Sequence, residues 1–230
     1  MTILKSLFNL VLPKNCSSCQ YPLSLNEELI CTACRHQIST TGFDFCIENE
    51  CDRTFYGTSG IAKAAALFYF DPSGPVKQLL HQLKYQDHEF LGCFFADWTA
   101  EVLQKDPCLP PIDLITCVPL HWRRKAVRGY NQMDLFAQRL ASLMDWNYDP
   151  SCLKRRYYYG SQTKKSRLKR RSDKNSFALN SSTPLYEKHI LLVDDIITTG
   201  NTLIQCCDAL NQNSTNKIYL FSIAFRSRFV

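Results

Sequence analysis

The clearest pattern along the chain is an unbroken apolar run, Ile190 to Val193, closed by two carboxylates, Asp194 and Asp195. A run without polar alternation predicts a parallel strand buried on both faces. Ile112 to Val118 predicts another buried strand, and Ala62 to Phe70 and Lys217 to Phe225 predict two more. Between them, apolar positions recur at helical spacing over Pro75 to Lys84, Phe90 to Gln104, Asn131 to Leu143 and Leu203 to Leu210. Strands alternating with helices imply an α/β fold: a mainly parallel sheet flanked by helices, with right-handed crossovers. Asp106 to Pro111 reads as a Pro-rich connection, and Leu153 to Asn180 interrupts the alternation. At the amino-terminal end, Leu4, Leu7, Phe8 and Val11 predict a short amphipathic helix. Gly57-Thr58-Ser59-Gly60 divides an N-terminal region, 1–57, from an α/β body, 58–230.

The chemistry concentrates where the strand at Ile190 ends. Open α/β sheets bind ligands at the carboxyl ends of their strands. There Asp194 and Asp195 offer adjacent acceptors suited to a pair of vicinal hydroxyls, and they are the candidate catalytic pair. Thr198, Thr199, Gly200, Asn201 and Thr202 follow as a small turn leading into a helix. Its hydroxyls and backbone N–H groups suit a monophosphate, and Gly200 lets the backbone approach closely.

Cysteine placement changes the picture of the first 57 residues. Of twelve cysteines, six lie within the first 51 residues. Cys16-x2-Cys19 and Cys31-x2-Cys34 match the paired knuckles of a closed, structural zinc site, which would organise a segment too short to build its own core. Cys46 and Cys51 are looser in spacing and read as a degenerate second knuckle or as free thiols. Cys93, Cys108, Cys117, Cys152, Cys206 and Cys207 read as small hydrophobes. The apolar run Ile3 to Leu12 contains Lys5 and is too short to span a bilayer, so no membrane span is expected and the cytoplasm is the expected compartment.

Charge is equally uneven. The net charge is +6, yet residues 151–176 hold ten Lys or Arg against one Asp, a local +9 that leaves 6 − 9 = −3 for the rest. Lys154, Arg155 and Arg156 run into Tyr157, Tyr158 and Tyr159, and Lys169, Arg170 and Arg171 follow. Aromatics beside a basic track suit the bases and phosphates of a single nucleic-acid strand, while a solvated lid is the alternative.

Residues 190 to 202 resemble the phosphoribosyl pyrophosphate (PRPP) signature of type I phosphoribosyltransferases. The resemblance implies that Asp194 and Asp195 hold the ribose 2′- and 3′-hydroxyls and that Thr198 to Thr202 cradle the 5′-phosphate. Thr198 stands where purine-salvage members carry an Asp, which argues against that role. The run from Cys117 to Gln132 is similar to the pyrophosphate loop of the same enzymes, with Pro119, Leu120, Arg128, Asn131 and Gln132 around the diphosphate and Mg²⁺ accompanying it. A paired-CxxC finger, a Pro-Leu-His loop running to Arg-Gly-Tyr-Asn-Gln and a PRPP signature, in this order, resemble the competence protein F (ComF) family over nearly the whole chain. That family's basic hood is matched by Gln162, Arg170 or Arg171, and Phe177, whereas its Asn is replaced by Ser172 or Asp173. The resemblance implies a protein of natural transformation that handles incoming single-stranded DNA in the cytoplasm, with a competence helicase or DNA-processing proteins as partners. An active phosphoribosyltransferase of nucleotide metabolism and a PRPP-sensing regulator or adaptor are the competing readings.

Overall fold

The computed structural model describes residues 14–85, 89–120, 126, 129–156, 176–180, 185–211 and 215–227. The expected N-terminal helix with Leu4, Leu7, Phe8 and Val11 lies outside the described residues, as do Arg128, Tyr157 to Tyr159, Gln162 and Lys169 to Asp173. The central sheet has five strands: β1 (Ile61–Tyr69), β2 (Leu114–Cys117), β3 (Asn147–Tyr148), β6 (His189–Ile197) and β7 (Lys217–Phe225). Their order is β1-β7-β6-β2-β3, and each neighbouring pair is parallel. A separate antiparallel pair joins β4 (Leu153–Arg155) to β5 (Phe177–Leu179). Among the described residues the helices are α1 (Thr32–Gln37), α2 (Glu50–Thr54), α3 (Pro75–Tyr85), α4 (Glu89–Leu103), α5 (Asp134–Met144) and α6 (Asn201–Leu210). None of the described helices is long and apolar enough to cross a membrane.

Strand periodicity explains the layering. Successive side chains point to opposite faces, so Leu191 and Val193 join one core and Ile190 and Leu192 the other. The first core receives Leu79 and Leu83 of α3, Phe95 of α4 and Phe136 and Leu140 of α5. The second receives Leu203, Cys206 and Leu210 of α6, together with Leu153 and Phe177 of the β4–β5 pair. Both faces are covered, as an all-parallel sheet requires. Truncating a fully buried Phe95 or Phe136 to Ala would cost about 3–5 kcal/mol.

The N-terminal region contributes to both cores. Ile30, Ile38 and Phe45 pack into the first, Cys51 and Phe55 into the second. Helix α2 is fixed by a capping box: Asn49 accepts from Cys51 and Asp52, and Asp52 accepts from the Asn49 N–H. Asp52 also accepts the Ala64 N–H at 2.8 Å and pairs with Lys63 at 3.1 Å, which bolts α2 onto β1.

The cysteines depart from the sequence reading at one point. Cys46, read as a knuckle remnant or free thiol, forms a disulfide with Cys108, read as a small hydrophobe, across 62 residues of sequence. The cause is local: the Asp106 carboxylate accepts the Phe45 N–H at 2.8 Å and the Cys108 N–H at 2.9 Å, which brings the two segments together. Cys51 is a buried free thiol, and burial pushes it well above its ordinary pKa.

Candidate functional site

The ladder between β6 and β7 continues beyond the apolar run, pairing Asp194 with Ser222 and Ile197 with Phe225. Asp194 and Asp195 are therefore strand residues near the carboxyl end of β6, held by backbone hydrogen bonds rather than carried on a loop. Asp195 is buried; Asp194 is half-buried and accepts the Asp195 N–H at 2.9 Å. Burial, reinforced by the Asp195 charge and opposed by that N–H and by Lys84, pushes the Asp194 carboxyl up to about 8.

One oxygen of Asp195, Oδ2, gathers two donors from different elements. Gln132 Nε2, from the loop after β2, donates to it at 2.9 Å, and Lys84 Nζ, at the end of α3, lies 2.9 Å from it. Gln132 was expected in the pyrophosphate loop, and the structure brings it to the carboxylate pair. Asn131, also expected there, donates to the Val118 carbonyl at 3.2 Å and accepts the Met133 N–H at 3.3 Å, which shapes the loop itself. Lys84 was missed: a lysine on the last turn of an amphipathic helix reads as a solvated charge, and nothing in its neighbours' spacing marks it.

The turn after β6 keeps Thr198, Thr199, Asn201 and Thr202 exposed, while Gly200 is buried. Gly200 has φ +75° and serves as the N-cap of α6. A Cβ there would also meet the Phe55 ring at 2.6 Å, so the position excludes every side chain on two counts. The turn, with its exposed hydroxyls and the amino end of a ten-residue helix, therefore follows directly on the carboxyl end of the strand that carries the aspartates.

Pro119 and Leu120, following β2, line a cavity of about 710 Å³. Its opposite wall includes Lys154, Arg155 and Arg156, so this part of the basic segment faces the loop that was expected to hold diphosphate. Lys154 and Arg156 are exposed, and Arg155 lies 5.2 Å above the buried Phe177 ring. Ser176, beside β5, donates its N–H to Gln205 of α6 at 3.1 Å, tying the base of the basic segment to the helix that starts at Gly200. Tyr158, Lys169, Arg170, Arg171 and Arg128 lie outside the described residues.

Away from this site, the sulfur atoms of Cys16, Cys19, Cys31 and Cys34 lie within 4.8 Å of one another and could hold a metal ion. Cys16 Sγ accepts N–H bonds from Ser18 at 3.4 Å and Cys31 at 3.3 Å, and Cys31 Sγ accepts from Cys34 at 3.4 Å. Against the burial that would raise it, such N–H donors bring the Cys16 thiol down to about 7, whereas burial pushes Cys34 up to about 12. N–H groups aimed at sulfur favour thiolates, the form that ligates metal.

Residues 135–227 match the model of the phosphoribosyl transferase domain family, and the described chain has a mainly parallel sheet with a cysteine cluster near its amino-terminal end. Over most of its length the chain is also similar to curated bacterial proteins. It is 28% identical over 227 residues to DNA utilization protein YhgH of Salmonella typhi, covering 93% of this chain and 98% of that protein. The YhgH of Escherichia coli K12 matches to the same extent. Competence protein F of Haemophilus influenzae is 25% identical over 228 residues, covering 91% of this chain and 96% of that one. Among solved structures, a Bacillus subtilis glutamine PRPP amidotransferase complexed with ADP and GMP aligns at 16% identity and a TM-score of 0.40. That alignment covers 61% of this chain and 30% of the amidotransferase.

Proposed function

We propose that this protein binds PRPP with Mg²⁺ and acts in the cytoplasmic handling of single-stranded DNA during natural transformation. The observation that carries the ligand reading is the carboxylate pair on β6, with Gln132 and Lys84 converging on Asp195 and the Gly200 turn opening α6 directly after the strand. Asp194 and Asp195 accept the ribose 2′- and 3′-hydroxyls. Thr198, Thr199, Gly200, Asn201 and Thr202 hold the 5′-phosphate, and the Pro119–Gln132 loop, including Arg128, faces the diphosphate with its Mg²⁺. In a transfer reaction the carboxylates would also steady the positive charge that develops at the ribose ring as the diphosphate leaves. The names of the relatives, DNA utilization protein and competence protein, support the DNA part of the reading. So does the basic wall Lys154, Arg155 and Arg156 beside the site. Cys16, Cys19, Cys31 and Cys34 hold one structural zinc, since four thiolates fit a closed tetrahedral site.

Calorimetry of the whole protein tests this. PRPP with Mg²⁺ is expected to bind, and Asp194→Ala with Asp195→Ala to weaken it by about 1.5–3 kcal/mol per charge-assisted bond lost. An oligonucleotide is expected to bind separately. Absence of PRPP binding at millimolar ligand would sink the ligand reading, and absence of oligonucleotide binding would sink the DNA reading.

A further inference from the structure

Lys84 has a location that a merely structural ion pair does not need. Its ammonium reaches the carboxylate pair from the end of α3 and shares Asp195 Oδ2 with Gln132. The Asp195 side chain is 9% exposed but that of Lys84 is 26% exposed, so the cation stays open to a ligand on the side away from the carboxylate. An ammonium has three donors, of which the contact with Asp195 engages one.

The Tyr130 hydroxyl donates to the Leu83 carbonyl at 3.5 Å, tying the end of α3 to the loop that carries Asn131 and Gln132. Lys84 therefore stands beside the carboxylate pair, on a helix end tied to the loop proposed to face the diphosphate. A ligand carrying both ribose hydroxyls and a diphosphate brings its negative charge toward two aspartates, and a cation at this point offsets the repulsion. The partly buried pair adds little net stability by itself, since desolvating both charges cancels most of their attraction.

We propose that Lys84 is a further ligand-binding residue of this site, a cation for the diphosphate that rests on Asp195 until the ligand arrives. The inference rests on the PRPP reading above. The experiment uses the full chain as wild type, Lys84→Met and Lys84→Arg, with thermal midpoints confirming that each is folded. Calorimetry with Mg²⁺ compares three probes: PRPP, inorganic pyrophosphate and ribose 5-phosphate. The expected result is that Lys84→Met weakens PRPP and pyrophosphate by about tenfold or more, as one charge-assisted bond is lost, while ribose 5-phosphate changes by less than about threefold. Lys84→Arg should recover most of the loss. Equal weakening of pyrophosphate and ribose 5-phosphate would make Lys84 a prop for Asp195 and overturn the inference, as would unchanged pyrophosphate binding in Lys84→Met. Wild-type protein that binds no PRPP would instead overturn the reading on which it rests. If Lys84→Met does not fold, Lys84→Gln takes its place: loss of pyrophosphate affinity with ribose 5-phosphate retained supports the role, and equal loss of both refutes it.

Discussion

Phe55 lies directly against Gly200: a Cβ added to the glycine would come within 2.6 Å of the aromatic ring. A residue next to α2, from the N-terminal region, thus sets the floor of the turn that opens α6. Gly200→Ala should lower stability by about 1–3 kcal/mol, through the positive φ and the displaced ring together, and should reduce PRPP affinity. In Gly200→Ala with Phe55→Leu, urea unfolding should recover the steric part but not the backbone part. Strictly additive losses in the two single variants and the double variant would show that the ring and the turn are not coupled.

Asp194 should make binding of the proposed ligand a proton-linked event. Its folded-state pKa is raised from the ordinary 3.8 to about 8, so the folded protein holds a proton that the unfolded chain has released. Stability from this group is fully present below the ordinary carboxylate range and is lost as pH rises toward and through about 8. Ribose hydroxyls are better accepted by the ionised form, so PRPP binding at pH 7 should expel this proton. Calorimetry in two buffers of different ionisation enthalpy should show the release in wild type and not in Asp194→Asn. A binding heat independent of buffer would refute it.

The two cysteine features should separate cleanly. Elemental analysis should find one zinc per chain in wild type and in Cys108→Ser, and none in Cys34→Ser, because the four clustered sulfurs do not include the disulfide. Closing the 62-residue separation between Cys46 and Cys108 should stabilise by up to about 4 kcal/mol, so Cys108→Ser should lower the urea midpoint. Loss of zinc in Cys108→Ser would move the ligand assignment.

Single-stranded DNA binding should carry a salt signature. If Lys154, Arg155 and Arg156 each neutralise a phosphate, their share of the slope of log K against log salt is about −2. Replacing all three with Gln should flatten the slope by that amount. An unchanged slope would remove this wall of the cavity from the DNA path.

Much of this architecture was legible because buried parallel strands announce themselves as apolar runs. Ile190 to Val193 marked β6, but its continuation to Ile197 depends on backbone pairing with β7, which side-chain hydrophobicity does not record. The two residues of β3 and the β4–β5 pair are too short to show a period. Asp194, Asp195 and the Gly200 turn could be found because their chemistry is contiguous in sequence. Lys84 and the Cys46–Cys108 pair could not, since each acquires its meaning from a residue far along the chain.

The strand order has a consequence for how the molecule is made. β1 pairs only with β7 in the central sheet, and β7 also separates β1 from β6. During synthesis β1 leaves the ribosome long before the strand that pairs with it, and its unpaired N–H and C=O edge waits while well over half of the chain is made. Such long-range parallel pairing is slow and exposes the chain to aggregation. Ending the chain before β7 would therefore not yield a smaller working unit: it would split the sheet and leave β1 and β6 without their common neighbour.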